Sequence, residues 1–505
     1  PILKPLCKKY QENKVRNPSP TAGYEASPPI EHDAGIMMDK NRLRVEKIGG
    51  TTMSRFGEVL KNVILKHKQD IYNRIYVVSA YSGITNALLE HKKTGKPGIY
   101  KIFEQNDDYE PAMNAFRDML MDLNQSFAPV GLDVEVANTF IRGRIVAAIN
   151  VLKSMDNVLA SGYVQRTEVL LAARELLASI GEMHSAFNTA NILQNLGYSA
   201  TYVDLSGWQE RKERTIDQRI QHTFEALDPS TTICVATGYA KGTEGIMREF
   251  DRGYSEVTFS KIAVILKAAE AVIHKEYHLC SGDPMILGTD RVHPICNTNF
   301  DVADQLADVG MEAIHPKASK PLETNGISIR VMNAFDPSHS GTLITKDYIC
   351  PHSKIEVVTG SNAVTCLEIH DTRMVGEVGF DMKIMEVLRA HSISYINKAT
   401  NANTIDVIIY EKDCSLELIR DMKKQFEVVT TINVAIVCAI GSNIAKPGIL
   451  SRATSAMAQA KINILTVSQT SRQTNMQFTV ERDQFIAAQK ALHRALCETD
   501  HEDIL

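Results

Sequence analysis

Residues 42–80 read RLRVEKIGGTTMSRFGEVLKNVILKHKQDIYNRIYVVSA, and their pattern decides the fold class. Residues 42–48 alternate as a strand does, and Gly49 and Gly50 break the run. Apolar residues at Phe56, Val59, Leu60, Val63 and Ile64 then recur at helical spacing. RIYVVSA (74–80) is a continuous apolar run of the kind buried on both faces of a parallel sheet. Strand, glycine turn, helix and strand make a βαβ unit. Farther along, TTICVATG (231–238), EAVIH (270–274) and ISIRVMN (327–333) read as strands. SEVTFSKIAVILKAAEA (255–271) reads as a helix, and 86–200 as mostly helical with a loop at Gly95, Pro97 and Gly98. The alternation predicts an α/β fold with an open, mostly parallel sheet sandwiched by helices.

Outward from that unit, the organisation changes twice. Residues 1–43 carry six prolines and no apolar period, which predicts a disordered tail. The α/β pattern spans 44–348, and KDYICPHSK (346–354) reads as a linker. Beyond it, 356–430 and 431–505 each repeat β-α-β-β-α, the pattern of two ferredoxin-like modules. The first has strands at 363–369, 393–397 and 404–410 with helices at 380–390 and 415–425. The second has strands at 433–440, 462–468 and 474–480 with helices at 448–460 and 482–496. A duplicated small module behind a large α/β domain suggests either regulation or dimerisation.

The 505 residues accommodate about three domains. Lys plus Arg number 55 against 60 Asp plus Glu, a net charge of -5 that leaves no basic footprint for nucleic acid. No apolar run approaches the roughly 18–20 residues needed to span a bilayer, and no secretory signal is evident, so a cytoplasmic, non-membrane protein is expected. The nine cysteines are odd in number and widely spaced without C-x-x-C, as expected of reduced thiols rather than a disulfide or zinc scaffold.

Neither G-x-x-x-x-G-K-[ST] nor G-x-G-x-x-G occurs. His274 and His278 are four apart but follow a strand, where that spacing does not stack them, so no metal site is expected there. Four segments can carry chemistry. In KIGGTT, Lys47 ends a buried strand and precedes Gly49, Gly50 and Thr51. Glycines let backbone N–H groups approach an anion, and Lys47 would neutralise a transferring phosphoryl group; the same turn also serves simply to end a strand. SAYSGIT places Ser79 and Thr85 at the carboxyl end of the next strand, the edge where open α/β sheets bind ligands. SIGEMHSA offers Glu182 as the partner of an ammonium. DRGYSE offers Arg252, a fork for a carboxylate, and Ser255 and Glu256, which also suit the opening of a helix.

Taken in order, these segments resemble an aspartokinase of the amino-acid-kinase family. KIGGTT (47–52) matches K-F-G-G-T-S, Ser79 to Thr85 match S-A-x-x-G-x-T, Ser179 to Glu182 match S-x-G-E, and DRGYSE (251–256) matches G-R-G-G-S-D imperfectly. DVADQLADVGMEAIHPKA (301–318) and IRVMNAFDPSHSGTLI (329–344) resemble two later family segments. KPGILSRATSAMAQAKINILTVSQTS (446–471) resembles the ACT repeat of these enzymes. KIGGTT, SAYSGITN, DRGYSEVTF and IHKEYHLCSGDP look more like the branch associated with ectoine synthesis.

The resemblance implies ATP-dependent phosphorylation of the L-aspartate side chain to 4-phospho-L-aspartate, the first step toward lysine, threonine and methionine, with Mg2+ accompanying ATP. By carry-over, Lys47 stabilises the phosphoryl group and Glu256 orients Lys47 or the reacting groups. Arg252 takes the α-carboxylate and Glu182 the α-ammonium, while Ser79, Thr85 and Ser255 position the substrate. Nucleotide contacts fall to Lys47, Gly49, Gly50, Thr51, Asp283 and Pro284. An amino-acid effector, lysine or threonine, would meet Gly448, Ile449, Leu450, Ser468, Gln469 and Asn475, in a homodimer or higher oligomer formed through the ACT modules. Glu256 replaces a family Asp, Tyr254 a Gly, Met285 an Arg and Glu312 a Lys, and the nucleotide segment is largely rewritten as HKEYHLCSGDPM (274–285). These departures leave open two alternatives: a weak or inactive kinase fold acting as an amino-acid sensor, and a kinase of another amino acid.

Overall fold

The structure, a computed structural model, describes residues 43–66, 68–91, 94–250, 253–311 and 313–498. The expected tail, except Leu43, lies outside them.

The opening βαβ unit forms as expected. β1 (Arg44–Ile48) passes through the Gly49–Gly50 turn into helices Gly50–Met53 and Phe56–Val59, the latter running on as a π-helical turn over Leu60–Ile64. Phe56, Val59, Leu60, Val63 and Ile64 are all buried. The chain returns as β2 (Arg74–Val78). The remaining strands of this sheet are β3 (Ala200–Val203), β4 (Ile233–Thr237), β5 (Glu270–Lys275), β6 (Asn297–Asn299), β7 (Ser328–Asn333) and β8 (Thr342–Thr345). Eight strands assemble in the order β3-β4-β2-β1-β5-β7-β8-β6. The pairs from β3 to β7 are parallel, and β7 and β8 are antiparallel. The helical stretch expected over 86–200 is built on three long helices, Glu110–Phe127, Val134–Ser161 and Arg166–Asn195. The helix expected over 255–271 stops at Ile265. Lys267 turns left-handed at φ 53, and β5 begins three residues on, at Glu270.

Register sorts the charged residues of the central strands onto opposite faces. Arg44 stands beside Arg74 and Glu270, Glu46 beside Tyr76 and Val272, and Ile48 beside Val78 and His274. Side chains in register share a face and neighbours along a strand alternate. Glu46, Arg74 and His274 therefore converge on one face, and Lys47, Ile273 and Lys275 belong to the other. On the first face, Arg74 Nη1 lies 2.6 Å from Glu46 Oε1 and His274 Nε2 lies 2.7 Å from Glu46 Oε2, all buried. His278 pairs instead with Asp336, at 2.9 Å. Burial alone would raise the Glu46 carboxyl, but the Arg74 guanidinium and the His274 hydrogen bond hold it at about 2. This contribution to stability is therefore present above the ordinary carboxylate range and is lost as pH falls toward 2. Arg74→Met strands the Glu46 charge in the sheet and is expected to cost about 3–5 kcal/mol at neutral pH, seen as a lowered urea midpoint. A second change, Glu46→Gln, should recover part of the loss, and no recovery would show that Arg74 acts by packing alone.

The second sheet contains β9 (Val357–His370), β10 (Asn397–Thr400), β11 (Thr404–Tyr410), β12 (Val428–Ile440), β13 (Thr466–Gln469) and β14 (Asn475–Glu481). Its six strands are ordered β10-β11-β9-β12-β14-β13. β9 and β12 are longer than the expected 363–369 and 433–440 because each serves two cores. Val358 packs with Ala435, Val437, Ala439 and the helices Ile449–Gln459 and Phe485–Leu496. Leu367, Ile369 and Val429 pack with the helices Phe380–Ala390 and Leu416–Gln425. The strands bulge between Val434 and Ile436, where a side chain on Gly360 would run into the Ile436 carbonyl. Val364, Cys366, Val434, Ile436 and Cys438, on the opposite face, join the main core of the chain. The described cysteines are all free. Among the described residues, no helix is long and apolar enough to cross a membrane.

Candidate active site

The carboxyl ends of β1, β2, β4 and β5 lie side by side, and residues singled out in the sequence gather there. Lys47 Nζ is 3.3 Å from Glu256 Oε1, with both side chains about nine-tenths buried. Glu256 occupies the first turn of helix Tyr254–Ile265, which Gly253 opens at φ 86. Its other oxygen, Oε2, accepts the His315 backbone N–H at 2.8 Å. Burial opposes the Glu256 charge, but Lys47, Lys275 and the His315 amide outweigh it and hold the carboxyl below its ordinary value. The pair is thus a fixed ammonium–carboxylate contact at neutral pH.

Ser79, just past β2, places its Oγ 3.0 Å from Ser255 Oγ. Glu182 comes from the middle of helix Arg166–Asn195, which crosses this edge closely. A side chain on Gly181 would come within 2.7 Å of Ala80 Cβ and 2.8 Å of Ile84 Cγ2, so only glycine permits the approach. On β4's exit, a methyl on Gly238 would lie 2.5 Å from Ser255 Cβ and 2.9 Å from Glu182 Oε2. Glu182 is 3% exposed. Burial pushes its carboxyl well above the ordinary range; the Lys47 charge, the Ala80 amide and the Ser255 hydroxyl pull the other way without prevailing. Its Oε2 is enclosed and has no hydrogen-bond partner. A buried carboxylate oxygen left in that state calls for a cation or a proton.

The other predicted residues are placed as follows. Gly49 and Gly50 form the turn above Lys47, and a methyl on Gly50 would stand 2.5 Å from the Ala80 carbonyl. Thr51 is exposed on the short helix that follows. Thr85 lies in helix Ile84–Leu88, half-buried, one residue beyond the Ile84 that meets Gly181. Arg252, like Glu312, lies outside the described residues, between Phe250 and Gly253. Asp283 caps the helix Pro284–Leu287 by accepting the Met285 N–H at 2.8 Å, and that helix packs against Phe485–Leu496 of the second sheet's layer. The preceding Ser281 bonds His493 of the same helix at 2.9 Å.

Of the residues expected to meet an effector, Gly448 opens helix Ile449–Gln459 at φ 93, with Ile449 buried and Leu450 partly exposed. Ser468 and Gln469 lie half-buried on β13. Asn475 Nδ2 donates to Gln305 Oε1 at 2.9 Å, tying β14 to the helix Phe300–Asp308.

Sequence reasoning missed Gly238, Gly181, Lys275 and the His315 amide as contributors. The only signal for Gly238 was a glycine closing a buried strand in TTICVATG. The His315 amide carried none, since a backbone group has no identity in a sequence. Glu175 and Ser179, four and three residues apart along the stripe that ends in Glu182, line a cavity of about 580 Å3 with Trp208 and Tyr239.

Comparison with known proteins agrees with this architecture. The amino acid kinase family profile matches residues 42–333, and an ACT domain profile matches 437–496. The chain is 43% identical over 473 residues to aspartate kinase Ask_Ect of Stutzerimonas stutzeri (strain A1501), covering 91% of this chain and 99% of that protein. Two crystal structures of E. coli aspartokinase III share the fold. The complex with aspartate and ADP (R-state) superposes with a TM-score of 0.67 at 19% identity, over 90% of this chain and 99% of that one. The complex with lysine and aspartate (T-state) gives 0.68 at 20% identity, over 90% and 100%.

Proposed function

Since the chain belongs to the amino acid kinase family and, within it, to the aspartokinases, we propose that Lys47, Ser79, Thr85, Glu182, Arg252, Ser255 and Glu256 form the site of its reaction. The enzyme is an ATP-dependent aspartate kinase: an oxygen of the L-aspartate side-chain carboxylate attacks the γ-phosphorus of ATP, the bond to the β–γ bridging oxygen breaks, and 4-phospho-L-aspartate and ADP leave. The observation that carries the site assignment is the enclosed, unpartnered Glu182 Oε2, which a substrate α-ammonium satisfies with both a donor and a positive charge, whereas an N-acylated amino acid brings no charge.

The chemistry asks little proton handling of the protein. The aspartate side chain is already ionised at neutral pH, so no general base is needed, and phosphoryl transfer depends on alignment and charge neutralisation. Lys47, held by Glu256, supplies positive charge at the phosphoryl group. Glu256 is held in turn by the His315 amide, so the lysine is oriented before substrate arrives. Arg252 takes the α-carboxylate, and Ser79, Thr85 and Ser255 position the acceptor. Gly49, Gly50 and Thr51 face the nucleotide. Mg2+ would accompany ATP as part of the nucleotide substrate and supply further charge neutralisation there, and no protein ligand is assigned to it. Asp283 and Pro284 would contact the nucleotide from the start of the helix Pro284–Leu287, which Asp283 also caps.

The second sheet is the place for an effector. Lysine is the ligand this reading favours, because the E. coli relative binds it. It would meet the helix opened by Gly448, Ile449 and Leu450 together with Ser468, Gln469 and Asn475, in a homodimer formed through the same layer. A cytoplasmic location and a place in the ectoine-associated branch complete the proposal, the latter supported by the likeness to Ask_Ect.

The test is a coupled ADP-release assay across pH with L-aspartate and N-acetyl-L-aspartate. Glu182 must be ionised to pair with the ammonium, and burial raises its carboxyl in the free enzyme. The aspartate KM should therefore rise as pH falls through that raised value. Glu182→Gln should show a high KM that no longer varies with pH in this way, and N-acetyl-L-aspartate should not be turned over. Equal use of the two substrates would remove Glu182 from the ammonium site, and absence of aspartate-dependent ADP release in folded protein would point to a sensor.

A further inference from the structure

A second lysine shares the face that carries Lys47. Lys47 stands in register with Ile273 on β5, so Lys275, two residues on, projects from the same face just beyond the end of β1. Helix Tyr254–Ile265 covers this face of β1 and β5. Glu256, in its first turn, lies under the charge of both ammonium groups. The neighbours of Lys275 are pinned to the glycine turn. Glu276 Oε1 accepts Thr52 Oγ1 at 3.1 Å, and a methyl on Gly49 would lie 3.9 Å from the His274 carbonyl. The end of β5 thus lies against the Gly49–Gly50 turn, with Lys275 near enough to Glu256 for its charge to act on that carboxylate. On the opposite face, His274 is already committed to Glu46. A triphosphate carries several negative charges, and transfer shifts charge toward the departing diphosphate, a demand that one ammonium paired to a carboxylate meets only in part.

We propose that Lys275 is a second phosphate-binding lysine, contacting the ATP phosphates from the β5 side while Lys47 contacts them from β1. This inference rests on reading the site as the aspartate-kinase centre. Two sequence departures fit it: the segment that begins at His274 is rewritten relative to the resembled family, and the lysine of the later G-A-K-V-L-H-P segment is replaced by Glu312.

The experiment compares wild type, Lys275→Ala and Lys275→Arg in two measurements: KM for MgATP and for aspartate, each with the other saturating, and calorimetric titration with MgAMP-PNP. Lys275→Ala should raise the MgATP KM tenfold or more, leave the aspartate KM within twofold, and weaken AMP-PNP by a similar factor, and Lys275→Arg should restore most of the loss. An unchanged MgATP KM, or both KM values rising together, overturns the assignment while wild-type turnover keeps the kinase reading intact. If wild type shows no aspartate-dependent turnover, that reading fails, and AMP-PNP still decides Lys275: weaker binding to Lys275→Ala supports the phosphate contact, and equal binding or no binding to wild type refutes it.

Discussion

Lys47→Ala is expected to lower kcat by about 100–1000-fold, the size of effect that follows removal of one preorganised charge stabiliser. The fold should survive. The substitution unpairs one oxygen of Glu256, but the His315 amide still donates to the other and Lys275 still faces the carboxylate. The affected contact lies at the strand's carboxyl edge, whereas Val45, Ile48 and the Arg74–Glu46–His274 chain that hold β1 in the sheet are untouched. Steady-state kinetics with a coupled ADP assay measures the loss, and circular dichroism with urea unfolding checks the fold. Lys47→Arg should not rescue fully, because a planar guanidinium cannot reproduce a compact ammonium 3.3 Å from Glu256. A well-folded Lys47→Ala protein turning over at the wild-type rate would take Lys47 out of the reaction.

Gly238→Ala should be nearly as damaging, with a different kinetic signature. The new methyl meets Ser255 Cβ at 2.5 Å and Glu182 Oε2 at 2.9 Å, and it cannot retreat, because the Val78 carbonyl oxygen lies 2.9 Å away on the remaining side. Either helix Arg166–Asn195 or helix Tyr254–Ile265 must shift, carrying Glu182 or Ser255 with it. A displacement of about 1 Å at a reacting centre costs on the order of 100-fold. The loss should fall on kcat/KM for aspartate, with MgAMP-PNP binding changed far less. If kcat/KM for aspartate held at the wild-type value, the space between Glu182 and Ser255 would not be where substrate sits.

The sequence made some features of this molecule legible and hid others for identifiable reasons. The strand–turn–helix–strand reading of 42–80 holds because each element repeats a local period that the sequence displays directly. Its errors fall where local pattern is ambiguous. The run after Ile265 continues a helical spacing, yet a left-handed Lys267 makes the break and β5 begins at Glu270. β9 and β12 extend beyond their expected bounds because residues such as Val358 and Ala435 pack on one pair of helices and Leu367 and Val429 on another. In the site, KIGGTT, SAYSGIT, SIGE and DRGYSE each contain a charged or hydroxyl side chain beside glycine. Asp283 and Pro284 carried a motif resemblance, and the structure shows Asp283 capping the helix Pro284–Leu287, which packs against the helix Phe485–Leu496.

By itself the sequence determined the α/β class, the repeated small modules and the residue types available for phosphate, ammonium and carboxylate. Those follow from periodicity and composition, which are properties of neighbours along the chain. Only the tertiary structure decided which of these groups face one another. Glu182 and Glu256 are both acidic side chains on helices, yet one keeps an enclosed oxygen without a partner and the other is clamped between Lys47 and a backbone amide. That difference arises from contacts across more than fifty positions of chain and from the absence of side chains at Gly181 and Gly238, and burial then turns the unmatched charge into a demand for a cation.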